Sequence, residues 1–356
     1  MSVSYKRLEE VCEILDAQRV PITAKDRKAG EYPYYGANGL QDHISDYIFD
    51  DELVLLAEDG GNFGSKDRPI AYRVSGKCWV NNHAHVLKAK DVIDTDYLCY
   101  ALMFYNTDGI VNGATRQKLT QSAMRKMIIP YRNIQEQAEI VEKIHRIFDL
   151  IDKRKHELNL LEELVKSRFI ELFGDPVINP KGFPCYTVGE VIDFQGGSQP
   201  DKKFFEYEAS PDNIRLIQIR DYKSDKYITY IPKTMAKRFC TADDIMIGRY
   251  GPPIFQILKG IEGSFNVALM KATPKMGNRE FIRQFLKQDC LLEYLEGLSK
   301  RTAGQDGIQM DKLKAYPFPY PPMELQEQFA AFVVQVDKSK YCRCKSRRLL
   351  QRVASI

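Results

Sequence analysis

The side chains best equipped for chemistry in this sequence lie far apart, and the few that sit close together have the wrong spacing for catalysis. His83 and His85 form an H-x-H pair with Cys78 five residues before the first of them. On a strand, alternate residues share a face, so both imidazoles would point the same way, the minimum for two metal ligands. No third ligand follows at a zinc-like spacing, and packing or polar contact is the expected role. Glu58, Asp59 and Lys66 contain the residue types of a metal-dependent nuclease, but the carboxylates are adjacent and the lysine comes seven residues after Asp59. Phosphate-loop, nucleophile-elbow and H-E-x-x-H patterns are absent, as is the Asn/Asp-Pro-Pro-Tyr string that holds a target adenine. The eight cysteines stand singly, apart from Cys342-x-Cys344, with no C-x-x-C pair. The sequence therefore predicts no catalytic residue, metal site or cofactor in this chain.

Side chains that read base edges are plentiful. Arg and Lys pair with guanine, Asn and Gln with adenine, carboxylates accept from cytosine, and basic groups hold phosphates. In the first half such residues gather in four segments. These hold Lys25, Arg27 and Lys28; Tyr35 and Asn38; Asn62, Lys66 and Arg68; and Arg116, Gln117 and Lys118. The second half offers Gln199, Lys202 and Lys203; Arg220 and Lys223; Arg249 and Tyr250; and Arg301 and Gln305. Any one of these segments, read alone, is a solvated loop. Four of them per half at comparable positions point to a DNA-binding surface.

The elements that must hold these loops come in two copies. GATRQKLTQSAMRKMIIPYRNIQEQ begins at Gly113 and GQDGIQMDKLKAYPFPYPPMELQEQ at Gly304, an offset of 191 residues. That offset carries Pro130 onto Pro321 and Gln135-Glu136-Gln137 onto Gln326-Glu327-Gln328. Earlier in each half, Leu8-x-x-Val11 resembles Val188-x-x-Val191, and Asp51 to Leu55 resembles Asp243 to Ile247. The stretches between differ strongly, so two similar frames carry two different middles.

After each Gln-Glu-Gln the pattern turns helical. Ile140, Ile144, Ile147, Ile151, Leu158, Leu161, Val165 and Leu172 mostly step by 3, 4 or 7 residues, and no Pro or Gly interrupts from Gln135 to Phe173. At 1.5 Å per residue this gives a helix of roughly 55–60 Å, stopped by Gly174-Asp175-Pro176. Leu325, Phe329, Phe332, Val333 and Val336 begin a second, shorter stripe that becomes basic from Lys338 to Arg352. So long an apolar seam is expected to bury against another helix, and the two spacers are expected to pair as an antiparallel coiled coil. Packing of each helix on its own domain, or on a partner protein's helix, is the competing arrangement. Between these helices, strands are expected at Tyr72 to Val74, Val86 to Lys88, Arg215 to Ile219, Tyr227 to Ile231 and Asp244 to Ile247, and helices at Asp96 to Tyr105 and Arg279 to Leu298. The fold class is α+β: two globular domains of mixed structure, 1–133 and 174–322, separated by long helices at 134–173 and 323–356 in a pseudo-two-fold internal repeat.

Composition sets outer bounds. A hydrophobic share of 44% excludes wholesale disorder, and 356 residues exceed one average domain. The net charge of +4 comes from 52 basic and 48 acidic side chains, so surface distribution matters more than the sum. No run reaches 18 apolar residues, the opening MSVSYKRLEEVCEIL lacks an apolar leader segment, and a reduced, cytoplasmic protein with no membrane partner is expected.

The order and duplication of these motifs resemble the specificity subunits of type I restriction–modification systems over essentially the whole chain. The resemblance rests on KRLEEVCEIL, YPYYGANG (Tyr32 to Gly39), GNFG (Gly61 to Gly64), the Pro-x-x-x-x-Gln-Glu-Gln junctions and Leu172-Phe173-Gly174-Asp175-Pro176. It implies a non-catalytic subunit in which each domain reads half of a split site on double-stranded DNA. The paired helices would set the gap and dock two modification subunits; restriction subunits would complete the assembly. S-adenosylmethionine, ATP and magnesium, and the pocket for a flipped adenine, would then belong to those partners. The competing class is a protein-interaction adaptor with no DNA contact. Basic loops converging on one concave face would separate the two.

Overall fold

A computed structural model describes residues 3–113, 116–250, 253–299 and 308–354, with only helix backbone beyond Lys340. Two compact units result, Met1–Arg154 with Lys345–Ile356, and Lys155–Cys344.

The first unit opens with β1 (Ser4–Arg7), α1 (Leu8–Val11) and β2 (Cys12–Ile14). There follow β3 (Ala29–Gly36), β4 (Gly39–Ile44), β5 (Phe49–Ala57), β6 (Ala71–Val80) and β7 (Ala84–Ala89). Next come α2 (Thr95–Met103), α3 (Gln121–Arg125), β8 (Ile128–Tyr131) and the long α4 (Ile134–Phe173). Its main sheet has the order β2-β7-β5-β6-β3-β4, and β1 pairs with β8. Strand β5 is apolar on both faces. Val54 and Leu56 join the core beneath α2, while Leu53 and Leu55 join a second core with Val74 and Val86. Helix α2 starts where the Asp94 carboxylate accepts from the Tyr97 amide at 2.8 Å, a cap that satisfies an otherwise orphaned donor.

The second unit repeats this plan with β9 (Cys185–Thr187), α5 (Val188–Val191), β10 (Ile192–Gly196), β11 (Asn213–Ile217), β12 (Tyr230–Pro232) and β13 (Phe239–Cys240). Strands β14 (Ile245–Gly248), β15 (Gln256–Lys259), β16 (Gly263–Phe265) and β17 (Leu269–Pro274) complete its sheets. Helices α6 (Arg279–Leu286), α7 (Asp289–Ser299) and α8 (Met310–Ala315), strand β18 (Pro317–Pro319) and helix α9 (Met323–Ala354) follow. The sheets are ordered β10-β17-β14-β15 and β12-β11-β16-β13, with β9 on β18.

Several expected elements are redrawn. The strand expected at Tyr227 to Ile231 is confined to β12, because Asp225–Tyr227 forms a tight turn. The strand expected at Arg215 to Ile219 ends at Ile217, with Ile219 opening another such turn. The single helix expected over Arg279 to Leu298 is two, α6 and α7, broken at Lys287 and Gln288. Phe281 and Phe285 before the break and Leu291 and Leu295 after it enter one core, so the apolar spacing continues across the change of direction.

The duplication is real, but its register is not the one the strings imply. The Leu8 amide donates to the Met127 carbonyl and the Val188 amide to the Tyr316 carbonyl, both at 2.9 Å. Fully buried Met124 and Ile129 correspond in the same way to fully buried Leu313 and Phe318. The structural offset here is 189 residues, so Gln137 matches Gln326 and Pro130 matches Pro319. Likewise Val54, opposite Leu87, corresponds to Ile245, opposite Ala272, which moves the earlier strand match by one residue. A one-residue slip exchanges the faces of a strand, so burial decides what string similarity leaves open.

Both packing modes expected for the long helices occur, along different stretches. In the first unit, Val141 and Ile140 pack into the core that holds Leu98 and Leu102. In the second unit, Phe169 and Phe173 meet Phe329 with ring centroids 5.6 and 5.4 Å apart, and Glu162 lies 3.8 Å from Lys340. Rising numbers on α4 meet falling numbers on α9, so these stretches are antiparallel. Leu161, Val165, Phe332, Val333 and Val336 share that core. Leu158, Ile144 and Ile147 are half-buried, and Ile151 is buried. Phe169 and Phe173, which the stripe omitted, are its largest buried members.

Candidate nucleic-acid interface

At one end of the first domain's sheet, three of the four polar segments come together. The β3–β4 turn places Asn38 so that its Nδ2 donates to the Gly60 carbonyl at 3.1 Å. The Gly60 amide in turn donates to the Gln117 carbonyl at 3.1 Å. Gly60 has φ +69°, and a Cβ there would press on the Arg116 guanidinium 3.2 Å away, so the close approach favours glycine. Arg116 Nε lies 2.6 Å from Asp59 Oδ1, and Lys118 Nζ lies 3.2 Å from Glu58 Oε1. Arg116, Gln117 and Lys118 are nonetheless exposed, as are Lys66 and Arg68 on the β5–β6 loop. Asn62 is half-buried, with its Nδ2 3.5 Å from the Pro69 carbonyl.

Beneath these loops lies a buried network that the sequence did not announce. His85, fully buried on β7, places Nδ1 2.6 Å from Asp16 Oδ2 and Nε2 2.9 Å from the Leu119 carbonyl. Asp16 also accepts from the Val86 backbone amide at 2.9 Å and from the Gln121 side-chain Nε2 at 3.0 Å. Arg19 Nη1 donates to Glu58 Oε2 at 2.6 Å and to the Ala84 carbonyl at 2.7 Å. Asp16, Glu58 and His85 bring potential ligand atoms within 4.8 Å of one another. Those atoms already bond to protein partners, and the Arg19 guanidinium supplies the positive charge a metal would bring. The network therefore reads as a strut under the 116–118 segment. The H-x-H geometry expected on a strand does not form. His83 precedes β7 in a turn, with Nδ1 3.4 Å from Asp59 Oδ2.

The remaining segment is used differently. Arg27 is half-buried, stacked 4.1 Å from the Tyr34 ring centroid and 3.4 Å from Asp42. Lys25 and Lys28 flank it, exposed. Tyr35 packs its ring 5.9 Å from Tyr72.

In the second domain, Gln199 and Arg249 meet around the β16–β17 turn. The Gln199 Oε1 lies 3.5 Å from Asn266 Nδ2, and the Arg249 amide donates to the Ala268 carbonyl at 2.9 Å. Arg249 Nη1 reaches the Val267 carbonyl at 3.4 Å, beside exposed Tyr250. Lys202 and Lys203 are exposed on the turn after β10, with Lys203 3.5 Å from Asp201. A separate set surrounds β11 and β12. Arg220 Nη2 donates to Thr229 Oγ1 at 3.0 Å, with Lys223 exposed beside it and Lys226 5.1 Å above the Tyr227 ring. Lys226 closes the polar loop expected from Arg220, whereas Tyr227, expected in a strand, and Asn266 carry no such signal in the sequence. Arg301 and Gln305 lie outside the described residues.

The three buried cysteines of the first domain add no nucleophile here. Burial pushes the thiols of Cys12, Cys78 and Cys99 up to about 12, so at neutral pH they are protonated packing groups. No described helix is long and apolar enough to cross a membrane.

Two α+β domains of one plan, each with polar loops on a sheet and a long helix leaving it, define a duplicated recognition scaffold. Comparison with known proteins gives that scaffold its family. The model for the type I restriction modification DNA specificity domain matches twice, at residues 2–163 and 180–342, and the chain belongs to this family. A type I restriction enzyme specificity subunit of Haemophilus influenzae is 36% identical over 140 residues, 39% of this chain and 36% of that protein. The MjaIX specificity subunit of Methanocaldococcus jannaschii is 23% identical over 245 residues, 58% of this chain and 56% of that protein. The matches thus span from about a third to just over half the length of these curated relatives. In fold, the chain is similar to the crystal structure of the type I restriction–modification S subunit from M. genitalium. The TM-score is 0.55 at 14% identity, over 99% of this chain and 94% of that one. A structure from work on assembly and conformational transition of the type I system scores 0.54 at 17% identity, over 99% and 95% of the two chains.

Proposed function

We propose that this chain is the non-catalytic DNA-reading subunit of a type I restriction–modification complex. Residues 1–133 and 174–322 each read one half of a split site, and the helices 134–173 and 323–356 set the unread gap. Two modification subunits, carrying S-adenosylmethionine and adenine-N6 methylation, dock on the helices and domains. Restriction subunits with ATP and magnesium complete the assembly.

The observation that carries the reading is the duplication itself. Two copies of one frame carry different loops, as two readers of different half-sites require. In the first copy Arg116, Gln117 and Lys118 are exposed donors braced from below, suited to a phosphate or base-edge contact. The second copy offers Gln199, Lys202, Lys203 and Arg249.

A genome-wide map of N6-methyladenine in host cells with and without the gene tests it. Methylation at one split motif should vanish with the gene. A map that does not change, with the modification subunits expressed, overturns the reading.

A further inference from the structure

The two Gln-Glu-Gln strings each contribute one buried glutamine, and not the same one. Gln137 and Gln326 have no exposed surface, whereas Gln135 and Gln328 are exposed. Gln137, in the first turn of α4, donates from Nε2 to the carbonyls of Arg132 at 2.8 Å and Val92 at 3.1 Å. Its Oε1 accepts from the amide of Asp94 at 2.7 Å, and Asp94 is the residue that caps α2. Gln326, in the first turn of α9, donates to the Pro321 carbonyl at 2.7 Å. Its Oε1 accepts from the amide of Asn278 at 2.8 Å, and Asn278 caps α6. Each spacer helix is thus clasped to the capped start of the helix packed in its own domain.

We propose that Gln137 and Gln326 are positioning residues that fix the angle at which each domain joins its spacer helix. They thereby set how sharply the gap between half-sites is measured. The inference rests on the reading of the helices as a gap-setting spacer. A side-chain amide supplies a donor and an acceptor at a fixed separation, and the buried backbone groups it meets need both. Methionine of similar length would leave an amide unpaired together with two carbonyls at Gln137 or one at Gln326, and glutamate would set a carboxylate against carbonyls. The neighbours differ, Arg132-Asn133 in one copy and Pro321-Pro322 in the other, yet the pair of bonds is rebuilt.

The test uses the full chain assembled with its modification subunits, in competition binding against duplexes whose gap is one base pair longer or shorter. Gln135→Met and Gln328→Met should keep the wild-type gap preference. Gln137→Met and Gln326→Met should each lose about tenfold of that preference while each half-site keeps its base preference. Clasp variants that bind with the wild-type gap profile overturn the proposal. If a clasp variant does not fold, hydrogen exchange on the wild type decides. The Asp94 and Asn278 amides should be as protected as the α4 and α9 backbone, and rapid exchange at either overturns the clasp. A wild-type complex indifferent to gap length defeats the proposed function instead, and the exchange result still judges the clasp.

Discussion

Asp16 shows how a single buried carboxylate organises the loop end of the first domain. Burial alone would raise its pKa, but the bonds and charge of His85, the Val86 amide and Gln121 outweigh this and hold it below the ordinary carboxylate value. A group whose pKa is depressed in the folded state stabilises the fold above its unfolded value near 3.8, and that stabilisation disappears as pH falls through the folded value. Melting temperature should therefore drop more steeply below pH 4 in the wild type than in Asp16→Asn. Parallel curves would remove Asp16 from the acid response. His85→Ala leaves the Asp16 carboxylate buried without its ring partner and should cost about 3–5 kcal/mol in urea denaturation. At the surface, Arg116→Ala with Lys118→Ala should weaken DNA binding without changing the melting temperature. The salt dependence of log affinity should flatten by about one unit for each phosphate that is no longer neutralised. An unchanged affinity in the assembled complex would exclude this segment from the interface.

In the second unit the long helices also meet through a few large rings, beside the aliphatic stripe that first marks them. Phe169 touches Phe173, Phe281 and Phe329, with centroids between 4.9 and 5.7 Å. Phe169→Ala should destabilise the second unit by about 3–5 kcal/mol, measured by chemical denaturation, because the cavity left among these rings cannot collapse. Spacer length is testable separately. Seven residues inserted in α4 near Lys155, matched by seven in α9 beyond Lys340, add two turns and about 10 Å while keeping the apolar seam in phase. The preferred gap should then grow by about three base pairs at 3.4 Å each. An unchanged gap would show that the helices do not measure it.

For the molecule as a whole, duplication predicts modularity. Each unit has its own cores and sheets, and the polar segments around Arg116 and Arg249 are held by contacts within their own units. Replacing residues 174–322 with the corresponding domain of a related protein should change one half-site of the methylated motif and leave the other intact. Loss of both would show that the two domains do not read independently.

The sequence by itself determined the α+β class, the two copies and the long helices, because these depend on local periodicity and on strings that recur along the chain. It also exposed the polar loops, since Asn, Gln, Lys and Arg near Gly and Asp mark solvated turns. What it did not determine was register. At the strings, the frames differ by 189 residues and not by 191, because buried Met124, Ile129 and Gln137 had to match buried Leu313, Phe318 and Gln326. Nor was it legible that Asp16, Glu58 and His85 meet beneath Leu119, or that Arg27 stacks on Tyr34. Those partners lie up to about a hundred residues apart and become neighbours only when the sheet closes. Only tertiary packing, which charges a large desolvation cost for any unpaired buried polar group, decides which of many possible partners each one meets.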